Sequence, residues 1–199
     1  MKNKVLIKGS ILVIVSAFLF GCMPLITRYI YAAGVNRESV VLLRNLLALP
    51  LLALLTYRQE KSFKIPAKAM PAIVAIALMG CCVTPLLLYG SYQHIATGTA
   101  TVFHFVYPAV VVLFGLVFLR KRINAGTLLA VLLCVGGLCL FYNPDQQLDW
   151  RGCALALASG VTYAIYVVLL SAFRYKEVSG FKLSFYVSAI CSTAMLVAC

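Results

Sequence analysis

Apolar residues in this chain come in long, nearly unbroken runs. Seven can be read, over about 10–31, 39–57, 71–92, 98–119, 126–143, 152–173 and 181–199. Each is close to the ~20 residues an α-helix needs to cross a hydrocarbon core ~30 Å thick. None alternates apolar and polar residues with period two, which argues against a membrane β-barrel. No water is present inside a bilayer, so a spanning segment must close its own backbone hydrogen bonds, and each run predicts a helix. The pattern therefore predicts an all-α polytopic membrane protein with short connections. Residues 58–68 form the most polar connection and are expected to be the most mobile one. Residues 143–149 (NPDQQLD) make a turn-rich break after the fifth run.

Composition agrees with this reading. The chain is 63% hydrophobic and 11% charged, against ~25% charged in an ordinary soluble domain. Its net charge of +12 raises nucleic acid as a partner, but the placement of the charges argues against it. Lys2, Lys4 and Lys8 precede the first run; Arg58, Lys61, Lys64 and Lys68 follow the second; Arg120, Lys121 and Arg122 follow the fourth; Arg174, Lys176 and Lys182 follow the sixth. These 13 of 17 basic residues share one side of the predicted bundle, while Arg28, Arg37 and Arg151 lie on the other. That bias is the positive-inside pattern and puts the N-terminus in the cytoplasm. A nucleic-acid face would be continuous, not split among alternate loops. The first run resembles a signal peptide only loosely; it is too long for one and reads as an uncleaved helix. The eight cysteines lie within or at the ends of apolar runs without metal-ligand spacing, and read as buried reduced thiols.

Two stretches are similar to each other. GSILVIVSAFLFG (9–21) and GCALALASGVTYA (152–164) align with Gly9 on Gly152, Leu12 on Leu155 and Ser16 on Ser159. The second lies five helices further along the chain, so it is inverted in the membrane relative to the first, a construction principle of secondary transporters. The expected organisation is a first repeat over 1–143 and the start of a second over 144–199. Gly152, Ala156, Gly160 and Ala164 form an i, i+4 stripe of small residues. It allows close approach of another helix, as static packing or as a sliding surface.

On these features the chain resembles the EamA-like family of the drug/metabolite transporter superfamily. The residues that carry the resemblance are Arg44 in LLRNLLALPLL, the passage LLYGSYQHIATGTATVFHFVYPAVVVLFGLVFLRKRI with Pro108 in mid-helix, the short run opening at Gly126, and Asp149-Trp150-Arg151-Gly152 at the start of the second repeat. The resemblance implies about ten helices in two inverted repeats of five, of which about seven are present here. It therefore implies a C-terminal truncation of roughly three helices. It also implies a glutamate after the fourth helix, where this chain has Lys121.

Ionisable groups at membrane depth are costly and so are functional candidates. Arg44 lies roughly 8–9 Å inside the second run at helical rise, and all five acidic residues (Glu38, Glu60, Asp145, Asp149, Glu177) lie in loops or at helix ends. Arg44 either binds an anionic substrate group by forked hydrogen bonds, or it snorkels outward or bonds a carbonyl at a helix break such as one near Pro24 or Pro85. His104 is either a proton relay or a packing residue; His94, at a turn, is the weaker candidate. Pro24, Pro50, Pro85 and Pro108 each free a carbonyl one turn back, to line a cavity or to be met by a neighbouring helix. Tyr89, Tyr107, Tyr163 and Tyr166, with Gln93, are candidates for an aromatic and polar cavity lining, while Tyr92 fits an interface belt better. Pro24, Pro85 and Pro108 are the candidates for helix breaks or gating.

No phosphate loop, HExxH or GxSxG motif is present in the sequence, so neither ATP-driven transport nor an enzyme is expected, and no cofactor is called for. The reading is a secondary transporter, an exporter of small metabolites such as amino acids, in a plasma (inner) membrane. Its partners are a small-molecule substrate and the lipid bilayer, with a homodimer left open. The alternative is a non-transporting seven-helix protein, a receptor or an assembly subunit.

Overall fold

The computed structural model describes residues 2–117, 149–175 and 177–198, together with 126, 129, 131–133, 136 and 137. Among these there are helices and turns and no strand. The helices are α1 (Lys2–Ala32), α2 (Arg37–Glu60), α3 (Met70–Ile76), α4 (Thr84–Ser91), α5 (Thr97–His104), α6 (Tyr107–Val117), α7 (Trp150–Ala172) and α8 (Gly180–Ala198). A 3-10 turn, Ala67–Ala69, leads into α3, and a π-helical segment, Ala77–Val83, joins α3 to α4. Six stretches are long and apolar enough to cross a membrane: Gly9–Ala32, Arg37–Glu60, Ala67–Ser91, Thr97–Leu116, Trp150–Ala172 and Gly180–Ala198. They coincide with six of the seven runs. The run at 126–143 lies largely outside the described residues, as do the basic cluster at 120–122 and most of the break at 143–149.

The helix ends follow local chemistry. Asn36 caps α2 by accepting from the Ser39 N–H at 2.9 Å, and Asp149 caps α7 by accepting from the Arg151 N–H at 2.9 Å. Lys61 ends α2 in a left-handed conformation (φ 49°), its N–H returning to the Tyr57 carbonyl.

Packing divides into two seams. Along one, α2 lies against α8, around Val40, Val41, Cys82, Tyr89, Cys191 and Met195. Along the other, α4, α5 and α6 pack on α7. There the small-residue stripe does what its spacing allows: Gly152, Ala156, Gly160 and Ala164 are all buried. A Cβ on Gly152 would stand 2.8 Å from Ile95 Cγ2, and one on Gly160 would stand 2.8 Å from the His104 carbonyl oxygen. In lipid no hydrophobic force draws helices together, and such backbone approach supplies the dispersion contacts that do. Helix α1 touches the rest sparingly; Leu12, Phe18, Leu19 and most of its other described side chains are exposed.

The connections gather at two ends. At one, Tyr175 Oη donates to the Lys68 carbonyl (2.9 Å), Tyr186 Oη to the Phe63 carbonyl (2.7 Å) and Lys182 Nζ to the Lys64 carbonyl (3.2 Å). The connection at 58–68, expected to be the most mobile, is thus tied down by three side chains from the far part of the sequence. At the opposite end, Tyr31 Oη donates to the Tyr89 carbonyl (3.1 Å), Arg37 lies against Gly90, and His94 meets Asp149. Among the described residues, Lys64, Lys68 and Lys182 gather at one end, as the charge pattern predicts.

Candidate functional site

The fourth span is not continuous. Helix α5 ends at His104 and α6 begins at Tyr107. Pro108 has no N–H to give the His104 carbonyl four residues back, so that carbonyl is freed. It lies against Gly160, where a side chain would collide with it.

The same break gathers side chains from both sides of the sequence. His104 Nδ1 is 2.8 Å from Ser159 Oγ on α7. The His104 ring stands 5.3 Å from Tyr163 and 5.8 Å from Tyr107, centroid to centroid. Tyr107 meets Tyr163 edge-on at 4.7 Å, and Tyr163 meets Tyr166 at 5.4 Å. Four of the residues singled out from the sequence, His104, Tyr107, Tyr163 and Tyr166, therefore form one contiguous group. Tyr166 is seated against Gly80 in the π-helical segment, where a Cβ would collide with its ring.

Arg44 and Tyr89 form a second group. Arg44 Nη1 donates to Tyr89 Oη at 3.1 Å. Helical side chains lean toward their own N-termini, and α2 and α4 run in opposite directions, so the guanidinium and the phenol converge. Among the described residues the ion pairs are Arg37–Glu38, His94–Asp149 and Lys182–Glu60; none gives Arg44 a carboxylate. Among the described residues, no hydrogen bond or ring contact joins the Arg44–Tyr89 pair to the group around His104.

The remaining candidates are placed differently. Pro24 and Pro50 lie inside helices that continue through them. Pro85 frees the Cys81 carbonyl, and Cys191 Sγ on α8 donates to it at 3.1 Å, so a neighbouring helix satisfies it. Gln93 is exposed. Tyr92 is half-buried, its hydroxyl 3.4 Å from Thr101 Oγ1. His94 Nδ1 lies 2.9 Å from Asp149 Oδ2. The Arg151 backbone N–H, with His94 behind it, holds the Asp149 carboxyl below the usual carboxylate range.

Sequence reasoning missed Ser159 as a partner of His104, although Ser159, Tyr163 and Tyr166 follow i, i+4, i+7 and share one helix face. It also missed Thr84 Oγ1, which donates to the Met79 carbonyl (2.7 Å) and meets Thr162 Oγ1 at 2.8 Å. The burial of Lys182 beside Glu60 has no sequence signal, since both read as loop-end charges.

Six membrane-length helices, one interrupted at a polar and aromatic cluster, define an all-α polytopic membrane protein. The chain belongs to the EamA-like transporter family, whose model matches residues 7–143, and so to the drug/metabolite transporter superfamily of membrane transporters. No curated protein and no solved structure matches the chain.

Proposed function

We propose that this protein is a secondary transporter that exports small metabolites, amino acids or related organic compounds, across a plasma (inner) membrane by alternating access. One observation carries the reading: at the break in the fourth span, His104 and Tyr107 meet Tyr163, which in turn meets Tyr166. The first pair lies in the proposed repeat 1–143 and the second in the proposed repeat 144–199. A cluster shared by two inverted repeats is where a rocking motion exposes a substrate to each side in turn. The positive-inside bias supports a cytoplasmic N-terminus. The end bearing Glu60 and Lys182 then faces the cytoplasm, and the end bearing His94 and Asp149 faces outward. Arg44, with no carboxylate partner among the described residues, is the proposed holder of an anionic substrate group, and Tyr89 orients it.

The test is efflux of radiolabelled amino acids from loaded cells or proteoliposomes containing the protein. Tyr163→Ala is expected to abolish a flux that the unaltered protein supports. Arg44→Ala is expected to raise KM roughly 10–100-fold for carboxylate substrates, the worth of a charge-assisted hydrogen bond. It should leave uncharged analogues unaffected. Flux of carboxylates unchanged by Arg44→Ala would remove that residue from the proposal.

A further inference from the structure

The hydrogen bonds around Ser159 fix more than its position. Ser159 Oγ lies 2.6 Å from the Ala156 carbonyl oxygen and 2.8 Å from His104 Nδ1. A hydroxyl has one hydrogen to give. Two oxygens 2.6 Å apart repel unless a hydrogen lies between them, so the Ser159 O–H points to Ala156. The Ser159 oxygen then acts toward His104 as an acceptor only, and Nδ1 must carry the hydrogen. In the neutral imidazole the other nitrogen, Nε2, is left with a free lone pair. No described residue bonds to Nε2, and the rings of Tyr107 and Tyr163 flank the imidazole.

We infer that Ser159 is a positioning residue that holds His104 in its Nδ1–H form, so that Nε2 accepts a hydrogen bond from a transported solute carrying an N–H or O–H group beside an apolar or aromatic body. The two structural features have separate roles. The clustered tyrosines accept a flat or apolar surface without regard to its polar pattern. The fixed tautomer supplies the polar selection, since a solute without a donor leaves the acceptor unpaired in a site that has lost its water. Gly160 contributes by letting the His104 backbone approach α7 closely enough for the Nδ1–Ser159 bond to form.

This inference rests on the proposed transport site, and its test separates the two. The chain has 2 histidines, so His94→Gln leaves His104 alone. The full chain carrying that change, labelled with 15N-histidine and reconstituted in lipid, reports its tautomer directly by NMR. The hydrogen-bearing resonance is expected at Nδ1. Ser159→Ala should shift the population toward Nε2–H, and Ser159→Thr should restore it. A wild-type tautomer with the hydrogen on Nε2, or one indifferent to Ser159→Ala, overturns the inference without touching the transport reading. The flux arm uses an indole or phenol solute and its N- or O-methylated analogue. Ser159→Ala is expected to raise KM roughly tenfold for the donor-bearing solute alone, with Ser159→Thr rescuing it. An equal rise for both solutes would reduce Ser159 to a packing role and overturn the selectivity claim. A correct tautomer in a protein that moves no solute would overturn the transport reading instead.

Discussion

Gly160 shows how much one absent side chain can decide. The carbonyl that Pro108 frees has no partner in its own helix, and Gly160 admits it against the neighbouring backbone. A methyl group there would meet a backbone atom, which yields less readily than a flexible side chain. Gly160→Ala is therefore expected to destabilise the fold by ~1–3 kcal/mol, the usual cost of overpacking. It should also weaken the His104–Ser159 bond, and thermal unfolding in detergent would measure the first effect. Asp149 carries a residue-scale prediction of another kind. Its carboxyl is held below the ordinary value by the Arg151 N–H and His94, so its charged form favours the fold. That contribution is complete above the ordinary carboxylate pKa of ~4 and disappears as pH falls through the lower folded value. Asp149→Asn keeps the helix cap but loses the charge. Its deficit in melting temperature should be present at neutral pH and should close as the pH is lowered below ~3.

At the scale of the element, the third and fourth spans are interrupted in different ways. In the third, Pro85 withdraws a hydrogen bond from the Cys81 carbonyl just after a π-helical segment, and the chain widens over Ala77–Val83 before resuming as α4. Thr84 returns both its backbone N–H and its hydroxyl to the Met79 carbonyl. The Cys191 thiol supplies the missing donor to Cys81, and Asn45 Nδ2 in turn lies 3.4 Å from Cys191 Sγ. Cys191→Ala leaves that buried acceptor unpaired and is expected to cost ~1–3 kcal/mol. Cys191→Ser, which keeps a donor, should recover much of the loss in the same unfolding assay. In the fourth span the interruption is a two-residue turn between α5 and α6, and the aromatic cluster forms around it.

At the scale of the molecule, the two ends of the bundle are fastened by different chemistry. The end with Asp149 is held by an exposed pair. At the other end Lys182 is 3% exposed and pairs with Glu60 while donating to the Lys64 carbonyl. A charge so placed is tolerated only with its partner. Lys182→Met is expected to lower the melting temperature more than Glu60→Gln/Lys182→Met does, because both changes free the Lys64 carbonyl but only the single change also strands a carboxylate. A double change worse than the single one would mean that the two residues act independently. Because this pair joins α2 to α8, it also links the two proposed repeats. On the transport reading, it must separate when the cytoplasmic side opens.

Some of this protein was determined by sequence alone. Runs of about twenty apolar residues have one solution in lipid, a hydrogen-bonded helix, and six of the seven runs are helices of membrane length among the described residues. The spacing of Gly152, Ala156, Gly160 and Ala164 was enough to name the packing face of α7, since an i, i+4 stripe has no other geometry. His104, Tyr107, Tyr163 and Tyr166 were legible as candidates because polar and aromatic groups at membrane depth need a reason to be there. Their meeting was not legible, nor was the pairing of Arg44 with Tyr89, because each depends on which helices become neighbours. Whether a proline's freed carbonyl opens to a cavity or is taken by another helix is also a tertiary matter. Cys191 answers for Pro85, and Gly160 receives the carbonyl freed by Pro108. The tautomer of His104 and the burial of Lys182 belong to the same class. Local sequence sets which groups a helix presents, and only the packing of helices sets which of those groups find partners.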